Sequence, residues 1–173
     1  MGRIALEEAR RLDKKGDHSS SSEQYGLAAE TFKRVAKSLE LDQEKKELEL
    51  IMTLSLAWQK MTEAEAETSP ALYSEASQLF EQAKELSSNE KTKMLALGHS
   101  RFCKALEAGT KFADTRDTVF HTVAEQQLES AANYYAKAGF QTASEYSKAT
   151  EHLFDAYVYM GDAKREKDPE KKA

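Results

Sequence analysis

One cysteine, two prolines and no unbroken apolar run of membrane-spanning length mark this 173-residue chain, and each shortage closes off a class of structure. Cys103 alone permits neither an intrachain disulfide nor a thiolate-rich zinc site, which fits a reducing cytoplasm. With so little proline and only seven glycines, the chain lacks the turn residues of an all-β protein, and helix is the default state of its backbone. Met1 to Leu12 carries acidic residues inside its apolar pattern and has no continuous signal-peptide core. The most apolar stretch, Leu48 to Met61, is interrupted by Glu49, Thr53, Ser55, Gln59 and Lys60 and falls short of the roughly 20 apolar residues a membrane span needs. It reads as a buried central helix. Positive charge is also short. A net charge of −5 and a pI near 5.5 argue against nucleic acid or membrane as partner, since both reward a basic surface. The carboxyl-terminal cations Lys164, Arg165, Lys167, Lys171 and Lys172 alternate with Glu166, Asp168 and Glu170, as on a solvated helix face.

What is present is amphipathic helix. Hydrophobic residues make up 40% of the chain and charged residues 32%, the mixture of helices with one buried and one wet side. The spacing predicts a first helix over Ile4 to Lys15, stopped by Gly16 and Asp17. A second, capped within Ser19 to Ser22, runs to about Leu41 on Tyr25, Ala28, Phe32, Val35 and Leu39. A third, from an Asp42 cap to about Thr68, is apolar nearly all round. Ser69 and Pro70 form a cap with a first-turn proline and open a fourth helix, which closes at Ser87 to Asn89. The fifth covers Glu90 to Phe112, where Gly98, Ala105 and Gly109 would let a neighbouring backbone approach. After a connection over Ala113 to Thr118, the sixth ends at Gly139. The seventh carries its apolar stripe on Ala143, Tyr146, Thr150, Leu153, Tyr157 and Met160 and is expected to end at Gly161 and Asp162. Asp168 before Pro169 is a further cap, so residues 1–173 read as a single helical domain, with the expectation that it is cut from a longer helical protein just after an eighth helix begins.

Ala76, Phe80 and Ala83 place a large plug between two small residues, the spacing used where helices cross closely. Tyr25 with Ala28, and Tyr146 with Ala149, repeat its last two members, with Ser21 and Thr142 at the small position. The pairs Gly16–Asp17, Gly139–Phe140 and Gly161–Asp162 form glycine-led turns between such segments. In these features the chain resembles the tetratricopeptide-repeat family and its relatives among the soluble NSF attachment proteins. The resemblance implies an all-α fold of about seven antiparallel helices, paired as hairpins in a right-handed stack, that binds a protein or peptide. The alternative is the same helices closed into a ring. Some members grip carboxyl-terminal peptides with paired asparagines and basic residues. Here Asn89 and Asn133 are the only asparagines and fall in different settings, which disfavours that clamp.

Catalytic chemistry has little to rest on. No phosphate-binding loop, nucleophile elbow or dinucleotide-binding turn occurs, and no cofactor is called for. No histidine follows a glutamate at the three-residue spacing of a di-iron bundle. His99 and Cys103 lie one turn apart and could supply two metal ligands, but packing is the simpler role; His121 and Glu125 could exchange a proton or simply pair on a surface. The binding case rests on surface. Seven aromatics crowd the last two helices, more than one stripe absorbs, and Tyr134, Phe154 and Tyr159 are the candidates for a partner groove. Arg101, Lys104 and Lys111 form a basic strip able to receive a partner's acidic side chains. The expected function is a protein-interaction module for a peptide or partner helix. A regulatory or sensory segment of a signalling protein, and a metal- or small-molecule-binding bundle, are its alternatives.

Overall fold

A computed structural model describes the backbone of residues 1–166 and the side chains of residues 1–160. Seven helices form among the described residues, and no strand does: α1 (Gly2–Asp13), α2 (His18–Ala36), α3 (Asp42–Glu67), α4 (Pro70–Leu86), α5 (Glu90–Thr115), α6 (Thr118–Lys137) and α7 (Gln141–Glu166). None is long and apolar enough to cross a membrane.

The helix starts follow from side chains that satisfy free backbone N–H groups. Asp17 accepts from the Ser20 N–H at 3.2 Å, Ser69 from Leu72 at 3.4 Å, Asn89 from Thr92 at 3.0 Å and Asp117 from Val119 at 3.0 Å. Asp17, rather than the serines that follow, therefore caps α2, and this frees Ser21 to donate to the Ala9 carbonyl across the buried α1–α2 contact at 2.9 Å. Helix α2 stops at Ala36, before the expected Leu41, and α5 continues three residues past Phe112 to Thr115. Gly139 turns the chain with φ +80°. Gly161 does not end α7, which runs on through it to Glu166; the Asp168–Pro169 cap lies outside the described residues.

Connections of two to five residues make successive helices antiparallel. Each helix packs on its predecessor and successor in the chain, while α1 and α7 share no interface among the described residues, so the helices stand in an open row and not in a ring. Small residues let them approach. Ala9, Ala28, Ala57, Ala64, Ala76, Ala83, Ala105, Ala124 and Ala131 are fully buried, with Ser77 and Ser100 joined across α4 and α5 at 3.0 Å. Phe80 and Leu128 are the large plugs between them. Ala76, Phe80 and Ala83 all lie inside, and Phe80 meets Trp58 of α3 and His99 of α5. At Gly98 and Gly109 the neighbour admitted is an aromatic ring and not a backbone. A Cβ at Gly98 would stand 2.6 Å from the Tyr135 ring, and one at Gly109 would stand 2.5 Å from the Phe154 ring.

Two expectations about facing are corrected. Helix α3 is not buried all round, because the residues it hides are mostly small, such as Thr53, Ser55 and Ala57, while Leu48, Leu54 and Trp58 remain half-buried and Ile51 is exposed. On α7 the expected stripe has the right period, but its large residues face outward while Ala143 packs on the core. Tyr146, Leu153 and Tyr157 are 64%, 51% and 53% exposed. Ser144 and Ser147, which are small enough to approach the rest of the row, turn inward instead, with Phe154 filling the space at Gly109.

Candidate functional site

The half-buried side of α3 forms the centre of a groove of about 850 Å³. Helix α1 supplies one wall through Leu6 and Arg10, and α5 supplies the other through Leu95 and His99. Between them Leu48, Ile51, Leu54 and Trp58 of α3 line the base, with Tyr25 and Phe32 entering from α2. These residues recur at three, four and seven positions along each helix, so one face of each of α1, α3 and α5 looks into the same space. Alternate helices thus stand on either side of this groove, because the main packing runs between chain neighbours; α3 and α5 meet only at its base, where Trp58 touches His99 at 4.4 Å between centroids.

The base of the groove is held by a ladder of rings, one from each of α2 to α6. Tyr25 stacks on Trp58 at 6.2 Å between centroids, Trp58 meets Phe80 edge-on at 5.4 Å, Phe80 stacks on His99 at 5.0 Å, and His99 meets Tyr135 at 5.1 Å. Tyr135 Oη lies 2.7 Å from His99 Nδ1, a hydrogen bond that fixes the imidazole. Burial lowers the His99 pKa from 6.5 to about 3, so at neutral pH the ring is an uncharged aromatic part of the wall. Burial also pushes the neighbouring Cys103 thiol upward and keeps it protonated. His99 and Cys103 are therefore packing groups.

The amino-terminal mouth has a different chemistry. Arg3, Arg10 and Lys14 line the groove from α1, all exposed, and none has a carboxylate within ion-pair distance among the described residues. Asp13 also lines it, but its carboxylate faces His18 Nδ1 at 3.2 Å, which Glu65 approaches at 3.0 Å. Burial raises the Glu65 pKa to about 7, opposed by His18. At the far end of the row His121 makes a second such clasp, 3.5 Å from Glu125 on its own helix and 3.3 Å from Asp155 of α7. Each triad places one imidazole nitrogen and two carboxylate oxygens within 4.8 Å of one another, a donor set that suits a divalent cation weakly and an imidazolium well. In the second, the two carboxylates face opposite nitrogens of His121 and do not converge on one ligand.

The residues singled out from sequence do not gather at this groove. Phe154 packs into the notch at Gly109 and onto the core, so its ring is not part of an open binding face. Tyr134 is half-buried with the Lys137 ammonium 5.8 Å from its ring centre, and Tyr159 is 73% exposed on α7. Lys104 is met by Glu81 of α4 at 2.7 Å and Lys111 by Glu107 at 2.5 Å, which breaks up the expected basic strip. Arg101 borders a shallow polar hollow with Glu81 and Glu85. The groove residues themselves, Arg3, Arg10, Lys14, Ile51, Leu54 and Trp58, were missed. A usable signal was there: α3 carries more large apolar residues than its two chain neighbours can cover. Neither a family model, nor a curated protein, nor a solved structure matches this chain.

Proposed function

We propose that this protein is a non-catalytic interaction module whose groove between α1, α3 and α5 receives an amphipathic helix of a partner protein. The observation that carries the reading is the accessible apolar base itself. Leu48, Ile51, Leu54 and Trp58 repeat at the spacing of a helix face, between two walls that are also helix faces. From Leu48 to Trp58 the base is about 15 Å long at 1.5 Å per residue, enough for roughly three turns of a docked helix. Such a helix would set its own i, i+3, i+4 and i+7 side chains between the walls. The ring ladder beneath Trp58 lowers the ordering cost of binding, because its aromatic anchors are already held in place.

Trp58 is the sole tryptophan, so its fluorescence reports on the groove directly. A 14-residue helical peptide with leucines on one face and glutamines elsewhere should shift its emission saturably, with Kd on the order of 10–100 μM. Ile51→Glu, at an exposed position, should abolish the shift and leave the helical circular dichroism signal unchanged. If no helical peptide of any flanking charge perturbs Trp58, the reading is wrong. A saturable response to laurate alone would make the groove a small-molecule pocket instead.

A further inference from the structure

Resting on the groove reading above, we infer that the partner helix is acidic along one flank, with carboxylates set against Arg3, Arg10 and Lys14. The three cations occupy positions i, i+7 and i+11 of α1, one face of that helix, and span about 16 Å at 1.5 Å per residue. That length matches the apolar base beside them. Several half-buried cations elsewhere are neutralised inside the chain: Lys60 by Glu63 and Glu75, Lys104 by Glu81, Lys111 by Glu107. The cations on the groove wall are not.

The groove carries too few carboxylates to cancel them. Asp13 is the one carboxylate lining the groove, outnumbered three to one, and the opposite wall presents Thr92, Leu95, Ala96 and a neutral His99. A chain with net charge −5 therefore holds a groove edge of the opposite sign, along one wall only. A helix with acids on both flanks would set one row against the uncharged α5 wall and gain nothing from it. A helix with basic flanks would place like charges together at α1. The one-sided edge also fixes direction: reversing an asymmetric helix end for end moves its acidic flank to the other wall.

Three peptides of identical apolar face separate the possibilities. One carries glutamates along a single flank at positions 1, 8 and 12, one carries lysines there and one carries glutamines, all titrated against Trp58 fluorescence. At 20 mM salt the glutamate peptide should bind about tenfold more tightly than the glutamine peptide, since three exposed pairs of modest strength act together. The lysine peptide should bind more weakly than either. At 500 mM salt the three should converge, because the charges are exposed and screened. The triple variant Arg3→Glu, Arg10→Glu, Lys14→Glu should reverse the order; if its circular dichroism shows α1 to be lost, Arg10→Gln with Lys14→Gln should still erase the tenfold preference. Equal affinities at low salt would overturn the acidic-flank inference while leaving the groove reading intact. Silence from all three peptides would remove the groove reading along with it.

Discussion

The chain presents two apolar surfaces, and they differ in kind. The groove buries its large residues to about half and encloses them between walls, with fixed rings below and an excess of positive charge along its edge. The outer face of α7 shows Tyr146, Leu153, Tyr157 and Met160 more fully than any groove residue of α3, yet among the described residues these line no groove like the one at α3. Exposure by itself does not mark a recognition surface. Concavity and an unanswered charge do, because they determine the shape and sign of what binds.

The sharpest way to break this contrast is to remove the support of each surface in turn. Phe80→Ala deletes a fully buried ring that touches both Trp58 and His99, and should destabilise the protein by about 3–5 kcal/mol in urea unfolding. Leu153→Ala on the α7 stripe should change stability by less than about 0.5 kcal/mol. Equal losses would mean that α7 has a hidden partner in solution.

A smaller effect should separate two similar glycines. Gly98→Ala drives a methyl group to 2.6 Å from Tyr135, a buried ring that cannot retreat without breaking its bond to His99, and should cost about 1–3 kcal/mol. Gly109→Ala meets the far edge of the half-buried Phe154 ring, which can swing aside, and the gain in helix propensity of about 1 kcal/mol offsets the strain. Thermal melts of the two variants should differ in the sign or at least the size of the shift.

Two pH slopes of opposite sign complete the series. His99 has a folded pKa near 3 against 6.5, so the unfolded chain binds its proton first and stability falls as pH drops below 6.5, by up to about 1.4 kcal/mol per pH unit. Glu65 has a folded pKa near 7 against 4.5, so the folded chain holds its proton longer and stability falls as pH rises through that interval. Between pH 4.5 and 6.5 the two oppose each other. Glu65→Gln should therefore make stability climb more steeply with pH, and His99→Gln should make it fall, as read from urea midpoints at pH 4.5, 5.5 and 6.5. Parallel slopes in both variants would contradict the assigned environments.

The helices were largely legible in the sequence because their signals are local. Ser69 before Pro70, Asn89, and the residues around Gly139 act within a single turn, and each marks a boundary that the structure shares. Ala76, Phe80 and Ala83 were legible for the same reason, since a small–large–small spacing has few uses besides a close crossing. Facing was not legible. The period of Tyr146, Leu153 and Tyr157 is that of any apolar helix face, and nothing local says that small serines on the other side will win the contact with the rest of the row. The groove failed for a related reason: Arg3 and Trp58 are 55 positions apart, and only the spacing of alternate helices brings them to one cavity.

The open row has a kinetic consequence. The extensive helix interfaces join segments adjacent in the chain, so most native contacts close over short loops and no distant strand or terminus must be found before structure is rewarded. Refolding should be fast and free of a slow search. Opening should start at the outer helices, each held on one side only, with amide exchange slowing step by step toward α4.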